Sequence, residues 1–98
     1  MNHEEHFREV IEEIKKIKIK YPKIEKIVLF GSRARGDHRY NSDIDLCVFA
    51  PVAFFDEFLI FSRDVEEIHT YYSFDILFWN NLSNELLKQD ILKEGIDL

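Results

Sequence analysis

Three aspartates interrupt stretches that are otherwise apolar: Asp43 and Asp45 in DIDLCVF, and Asp75 in YSFDILFW. An ionised carboxylate buried without a partner costs several kcal/mol, so these positions ask for a compensating charge. Side chains along a strand alternate faces, which puts Asp43 and Asp45 on one face with Cα atoms about 6.5 Å apart. Carboxylates clustered in this way repel unless a cation neutralises them. Their hard oxygen atoms suit Mg²⁺. Two such ions about 3.5 to 4 Å apart can activate an attacking hydroxyl and stabilise a departing pyrophosphate. Upstream, Gly31-Ser32 follows another apolar run. Glycine lets backbone approach a phosphate closely, and Ser32 offers a hydroxyl and the start of a short helix, where free N–H groups favour anions. Arg33, Arg35 and Arg39 supply positive charge for a triphosphate, and the sequence leaves open which of them faces it. The chemistry that fits is attack of a hydroxyl on the α-phosphorus of a nucleoside triphosphate.

The elements that must position these residues can be read from periodicity. Phe7, Val10, Ile11, Ile14 and Ile17 recur at helical spacing between Glu4 and about Lys20, and Tyr21-Pro22 closes that helix. Residues 24–30, IEKIVLF, read as a first strand stopped by Gly31, and residues 43–49 as a second that ends at Ala50-Pro51. Between them, SRARGDHRYNS is polar, with turn signals at Gly36-Asp37 and Asn41-Ser42. Phe54, Phe58, Phe61, Val65 and Ile68 lie on one face of a helix spanning 52–70, which Phe55 and Leu59 widen. Residues 72–79 form a third strand, 82–93 a last helix, and 95–98 a short tail. Strands one and two are joined by about eleven residues, short for a parallel crossover, and are expected to be antiparallel. The connection from 50 to 71 permits a right-handed helical crossover, making strand three parallel to strand two. Gly31-Ser32, Asp43, Asp45 and Asp75 then meet at one edge.

Length and charge set the outer bounds. The chain has 98 residues, expected to form one domain over 1–98. It is 46% hydrophobic and 14% aromatic, enough to build a core. A net charge of −6 argues against a general nucleic-acid-binding surface, which needs a basic excess. No apolar run reaches membrane-spanning length and no signal-peptide layout opens the chain, so a cytoplasmic setting is expected. Cys47 is the lone cysteine, which rules out an intrachain disulfide and suits a buried core residue. His3, His6, His38 and His69 lack metal-ligand spacing, and the lysines from Lys15 to Lys26 fit a solvated helix end.

The stretch GSRARGDHRYNSDIDL resembles the G-S-x10-D-x-D signature of the DNA polymerase beta nucleotidyltransferase superfamily, with Asp75 in FDIL similar to its third carboxylate. The short chain is identified as a member of the minimal nucleotidyltransferases (MNT), often paired with a HEPN-domain protein in toxin–antitoxin systems. The motif covers about residues 24 to 79 and the layout the whole chain. The resemblance implies an α/β (α+β) fold like the polymerase palm: a small mixed sheet of three or slightly more strands with helices packed on one face. It implies that Asp43, Asp45 and Asp75 are catalytic and hold two Mg²⁺ ions, replaceable by Mn²⁺. Asp75 would help to deprotonate the acceptor, and Gly31 and Ser32 would hold the triphosphate with help from Arg33 and Arg35. The expected reaction moves a nucleoside monophosphate, AMP from ATP, to a tyrosine of a HEPN toxin. Rival expectations are a small-molecule acceptor and a non-catalytic binding module. Phe55 and Leu59 exceed what one sheet face needs and are expected at a dimer or partner interface.

Overall fold

The computed structural model describes residues 2–98. Helix α1 spans His3–Ile19. Asn2 caps it by accepting the Glu5 amide at 2.8 Å, Glu4 and Glu5 lie in its first turn, and Lys16 and Lys18 lie in its last. Both charge placements complement the helix dipole. Val10, Ile14 and Ile17, at i, i+4 and i+7, form its buried stripe.

Strand β1 (Lys26–Phe30) leads into a single helical turn, α2 (Ser32–Arg35), and then, through a polar loop, into β2 (Ile44–Phe49). β1 and β2 pair antiparallel. A 3₁₀ turn at Val52–Phe54 opens α3 (Phe55–Glu66), which crosses over to β3 (Phe74–Phe78), parallel to β2. A second 3₁₀ turn, Trp79–Asn81, precedes α4 (Glu85–Glu94), capped by the Asn84 side chain on the Leu87 amide. The expected strand directions hold: the short α2 connection returns β2 antiparallel to β1, and the long α3 connection carries the chain back so that β3 runs parallel to β2.

Three features depart from the sequence reading. Residues expected to be a short tail include β4 (Ile96–Asp97), which pairs antiparallel with the outer edge of β1 and extends the sheet to four strands in the order β3-β2-β1-β4. Gly95 makes this possible: a Cβ there would overlap the Val28 side chain and the Ile91 carbonyl, so only glycine lets the chain turn off α4 this close to β1. The helices also flank both faces instead of one. Ile27, Leu29, Ile44, Leu46 and Val48 pack with α1 and α3, while the alternate residues Val28, Phe30 and Cys47 pack with Ile91 of α4. The third helix is also shorter than its apolar pattern suggests, since Ile68 packs on the core from a turn beyond its end.

Cys47 is fully buried, and that burial pushes its thiol up to about 12. Leu59 is exposed, and Phe55 is half-buried against Phe58 and Phe78. Among the described residues, no helix is long and apolar enough to cross a membrane. Phe61 is the largest of the fully buried side chains among the described residues. Phe61→Ala is expected to cost about 3–5 kcal/mol, measured as a lower urea midpoint with an unchanged slope.

Candidate active site

The candidate residues converge where β1 ends and β2 and β3 begin. In the sheet register Phe30 pairs with Asp45, and Asp45 with Asp75. Asp45 and Asp75 therefore stand side by side on adjacent parallel strands, one strand spacing of about 4.8 Å apart along the hydrogen-bonding direction. Both lie on the face that α4 partly covers, with Cys47 and Leu77 following on the same rows. Asp43 lies just ahead of β2 instead of opening it, and is exposed.

Gly31 closes the site from the β1 side. Its backbone sits at φ 74° and ψ −155°, a region essentially closed to residues with a side chain. A Cβ at this position would overlap the Asp45 carboxylate oxygen and lie 3.2 Å from its Cγ. The glycine thus leaves the space that the Asp45 carboxylate fills. Ser32 follows immediately, half-buried, as the first residue of α2.

Electrostatics bear the same imprint. Asp45 is half-buried, and desolvation, followed by the charges of Asp75 and Asp43, raises its pKa above the usual carboxylate value, while Arg35 opposes the shift. The three carboxylates therefore interact through space. Among the described residues, no group of three His, Cys, Asp or Glu side chains is arranged to hold a metal ion as it stands. The donor chemistry nevertheless fits one: three oxygen donors of like charge, one already destabilised as an anion, match a hard divalent cation.

Helix α2 sends its two arginines to different places, which four residues of sequence could not reveal. The Arg35 guanidinium pairs with Asp37 at 3.1 Å and with Glu94, at the end of α4, at 3.5 Å. It stays 44% exposed and close enough to Asp45 to be felt there. Arg33 turns inward and is 7% exposed. It donates to main-chain carbonyls of the loop and lies between the rings of Phe7 and Tyr72. It was expected beside the triphosphate; the structure engages it with the chain itself. Neither Glu94 nor Phe7 carries a sequence signal for these roles, because both depend on how distant elements pack.

With this geometry in place, relatives become informative. The family description "Polymerase beta, Nucleotidyltransferase" matches residues 12–98. The chain belongs to the polymerase beta nucleotidyltransferase family. Its mixed sheet and flanking helices are those of the nucleotidyltransferase fold. Over 55 residues this nucleotidyltransferase-family chain is 44% identical to a Methanocaldococcus jannaschii protein provisionally named a protein adenylyltransferase, covering 55% of this chain. It spans about half, 52%, of that relative's length. Among solved structures it resembles a chain of a mutant MntA–HpeT toxin–antitoxin complex with a TM-score of 0.60 and 25% identity, over 89% of this chain and 69% of that one. It shares its fold, with a TM-score of 0.56 and 21% identity, with a chain of the tri-AMPylated Shewanella oneidensis HEPN toxin in complex with MNT antitoxin, over 92% of this chain and 69% of that one.

Two outcomes follow for the site. Gly31→Ala is expected to destabilise by about 1–3 kcal/mol from backbone strain alone and to displace the Asp45 carboxylate, read together by urea unfolding and by loss of nucleotide binding. Because the folded state raises the pKa of Asp45, it holds that proton more tightly than the unfolded chain does. Stability in metal-free buffer therefore falls as pH rises through the interval above about 3.9, the unfolded value. Asp45→Asn should raise the melting temperature at pH 7, with the gain disappearing below about pH 4 where wild-type Asp45 is already neutral.

Proposed function

We propose that this chain transfers AMP from ATP to a tyrosine hydroxyl of a HEPN-type partner protein, in the role of a cytoplasmic antitoxin. The observation that carries this reading is the Asp45 carboxylate seated against the side-chain-free Gly31 and beside Asp75 in register. That arrangement suits phosphate chemistry: two carboxylates stand side by side at the point where β1 gives way to the α2 turn, ready for a cation that a triphosphate can share. The name of the archaeal relative and the toxin–antitoxin complexes among the structural neighbours support the protein acceptor.

In this reading Asp43, Asp45 and Asp75 would hold Mg²⁺, which when bound neutralises their mutual repulsion and supplies Lewis acidity to the α-phosphate. Gly31 seats the Asp45 carboxylate against its backbone, and Ser32 donates its hydroxyl proton to the triphosphate. Arg35, held at the rim by Asp37 and Glu94, is free enough to exchange an exposed ion pair of small worth for a phosphate oxygen. Asp75 accepts the proton of the acceptor hydroxyl as its oxygen bonds to the α-phosphorus, and pyrophosphate departs. Asp75 is suited to this because it is exposed, whereas Asp45 is half-buried between its neighbours.

The test uses ATP labelled in the α-phosphate and adenine, Mg²⁺ and the HEPN-type protein. Label should appear on a tyrosine of that protein, and Asp43→Asn or Asp45→Asn should reduce it by more than about 100-fold, beyond what loss of an outer-shell partner brings. Neutralisation of the partner that survives both substitutions would instead identify a binding module. A labelled small molecule with no labelled protein would overturn the protein acceptor.

A further inference from the structure

We infer that Arg33 is a positioning residue, whose buried guanidinium fixes the turn before β2 and so sets Asp43 for the metal. The inference rests on the reading of Asp43 as a metal ligand. It gives Arg33 a task different from contacting the nucleotide, and it follows from how completely the protein occupies that side chain.

Arg33 is the buried charged residue of the fold, and no ion pair among the described residues involves it. A desolvated cation is costly unless it is hydrogen-bonded. Here main-chain oxygens and ring faces take the part of a counter-ion. Nε donates to the Ser42 carbonyl at 3.2 Å, and Nη2 reaches the carbonyls of Ser42, Arg39 and Tyr40 at 3.1, 3.3 and 3.2 Å. The guanidinium carbon lies 4.7 Å from the ring centre of Phe7 and 4.6 Å from that of Tyr72, close enough for cation–π attraction to both. Tyr72 in turn donates its hydroxyl to the His3 carbonyl at 3.1 Å. One side chain therefore ties together the start of α1, the approach to β3 and the loop between α2 and β2.

The loop end it holds is the one that matters. The turn is closed internally, the Ser42 amide donating to the Arg39 carbonyl at 3.1 Å and the Arg39 amide to Ser42 Oγ at 2.9 Å. On the other side, the Ile44 amide donates to the Ser73 carbonyl at 2.9 Å. Asp43 is the single residue between these anchors: the Ser42 carbonyl is pinned by Arg33 and the Ile44 amide by the sheet. Without the first anchor, Asp43 would hang from a polar loop attached on one side only. Lysine cannot replace arginine here, because a point-like ammonium cannot present the planar fork that reaches three carbonyls while stacking on two rings.

The experiment measures Mn²⁺ affinity by calorimetry in the presence of a non-hydrolysable ATP analogue, analogue affinity without metal, and amide exchange at Arg39 and Ser42. Asp43→Asn is the control. Arg33→Lys should weaken Mn²⁺ binding about 10-fold or more, as outer-shell losses do. It should also speed exchange at both amides and leave metal-free analogue affinity within about twofold. Ser42→Ala, which removes the Oγ acceptor without touching the buried guanidinium, should shift metal affinity and exchange in the same direction by less. A drop in metal-free analogue affinity with unchanged Mn²⁺ affinity in Arg33→Lys would overturn the inference and make Arg33 a nucleotide contact. Unchanged Mn²⁺ affinity and exchange in a folded Arg33→Lys or Ser42→Ala would also overturn it. Unchanged Mn²⁺ binding in Asp43→Asn would instead defeat the reading of Asp43 as a ligand, and the inference with it.

Discussion

At the end of β1 the backbone passes so close to the Asp45 carboxylate that no side chain fits between them. This contact sets the geometry of the whole edge. It requires a glycine in a conformation other residues avoid, it holds one carboxylate partly out of water, and it brings that carboxylate next to a second in register. The rest of the fold sustains the arrangement. The antiparallel β1–β2 pair sets the height of Asp45 against Gly31, and the parallel β2–β3 pair sets Asp75 beside it. Both pairings are locked by fully buried side chains such as Ile27, Leu46 and Val48, so a slip in register would expose the core as well as scatter the site.

Such an edge carries an electrostatic cost of its own. Like charges crowded on adjacent strands, one of them half-desolvated, weaken the fold. Packing elsewhere compensates, through two apolar clusters on opposite sides of one sheet. Proteins commonly carry this kind of local cost where chemistry is done, because the destabilised group gains most when its partner binds.

Much of this was legible in the sequence, for identifiable reasons. Asp43, Asp45 and Asp75 stand out because carboxylates are out of place in apolar strands, and the strand directions follow from loop lengths. The four-residue helix α2 was less readable, since one turn has no periodicity to say that Arg33 points inward and Arg35 outward. β4 escaped because two residues carry no alternation, and its pairing depends on Gly95 and the exit direction of α4. The second covered face escaped for a related reason. A strand buried on both sides reads as continuously apolar, and β2 does so apart from Asp45.

Among the described residues, the strand order puts β3 at the rim of the sheet, with β2 on one side and no strand on the other. Asp75, near the start of that strand, is exposed on the face that α4 only partly covers, and has a strand neighbour on one side alone among the described residues. In the proposed reaction, the acceptor's fit against this rim would set the rate as much as the chemistry does.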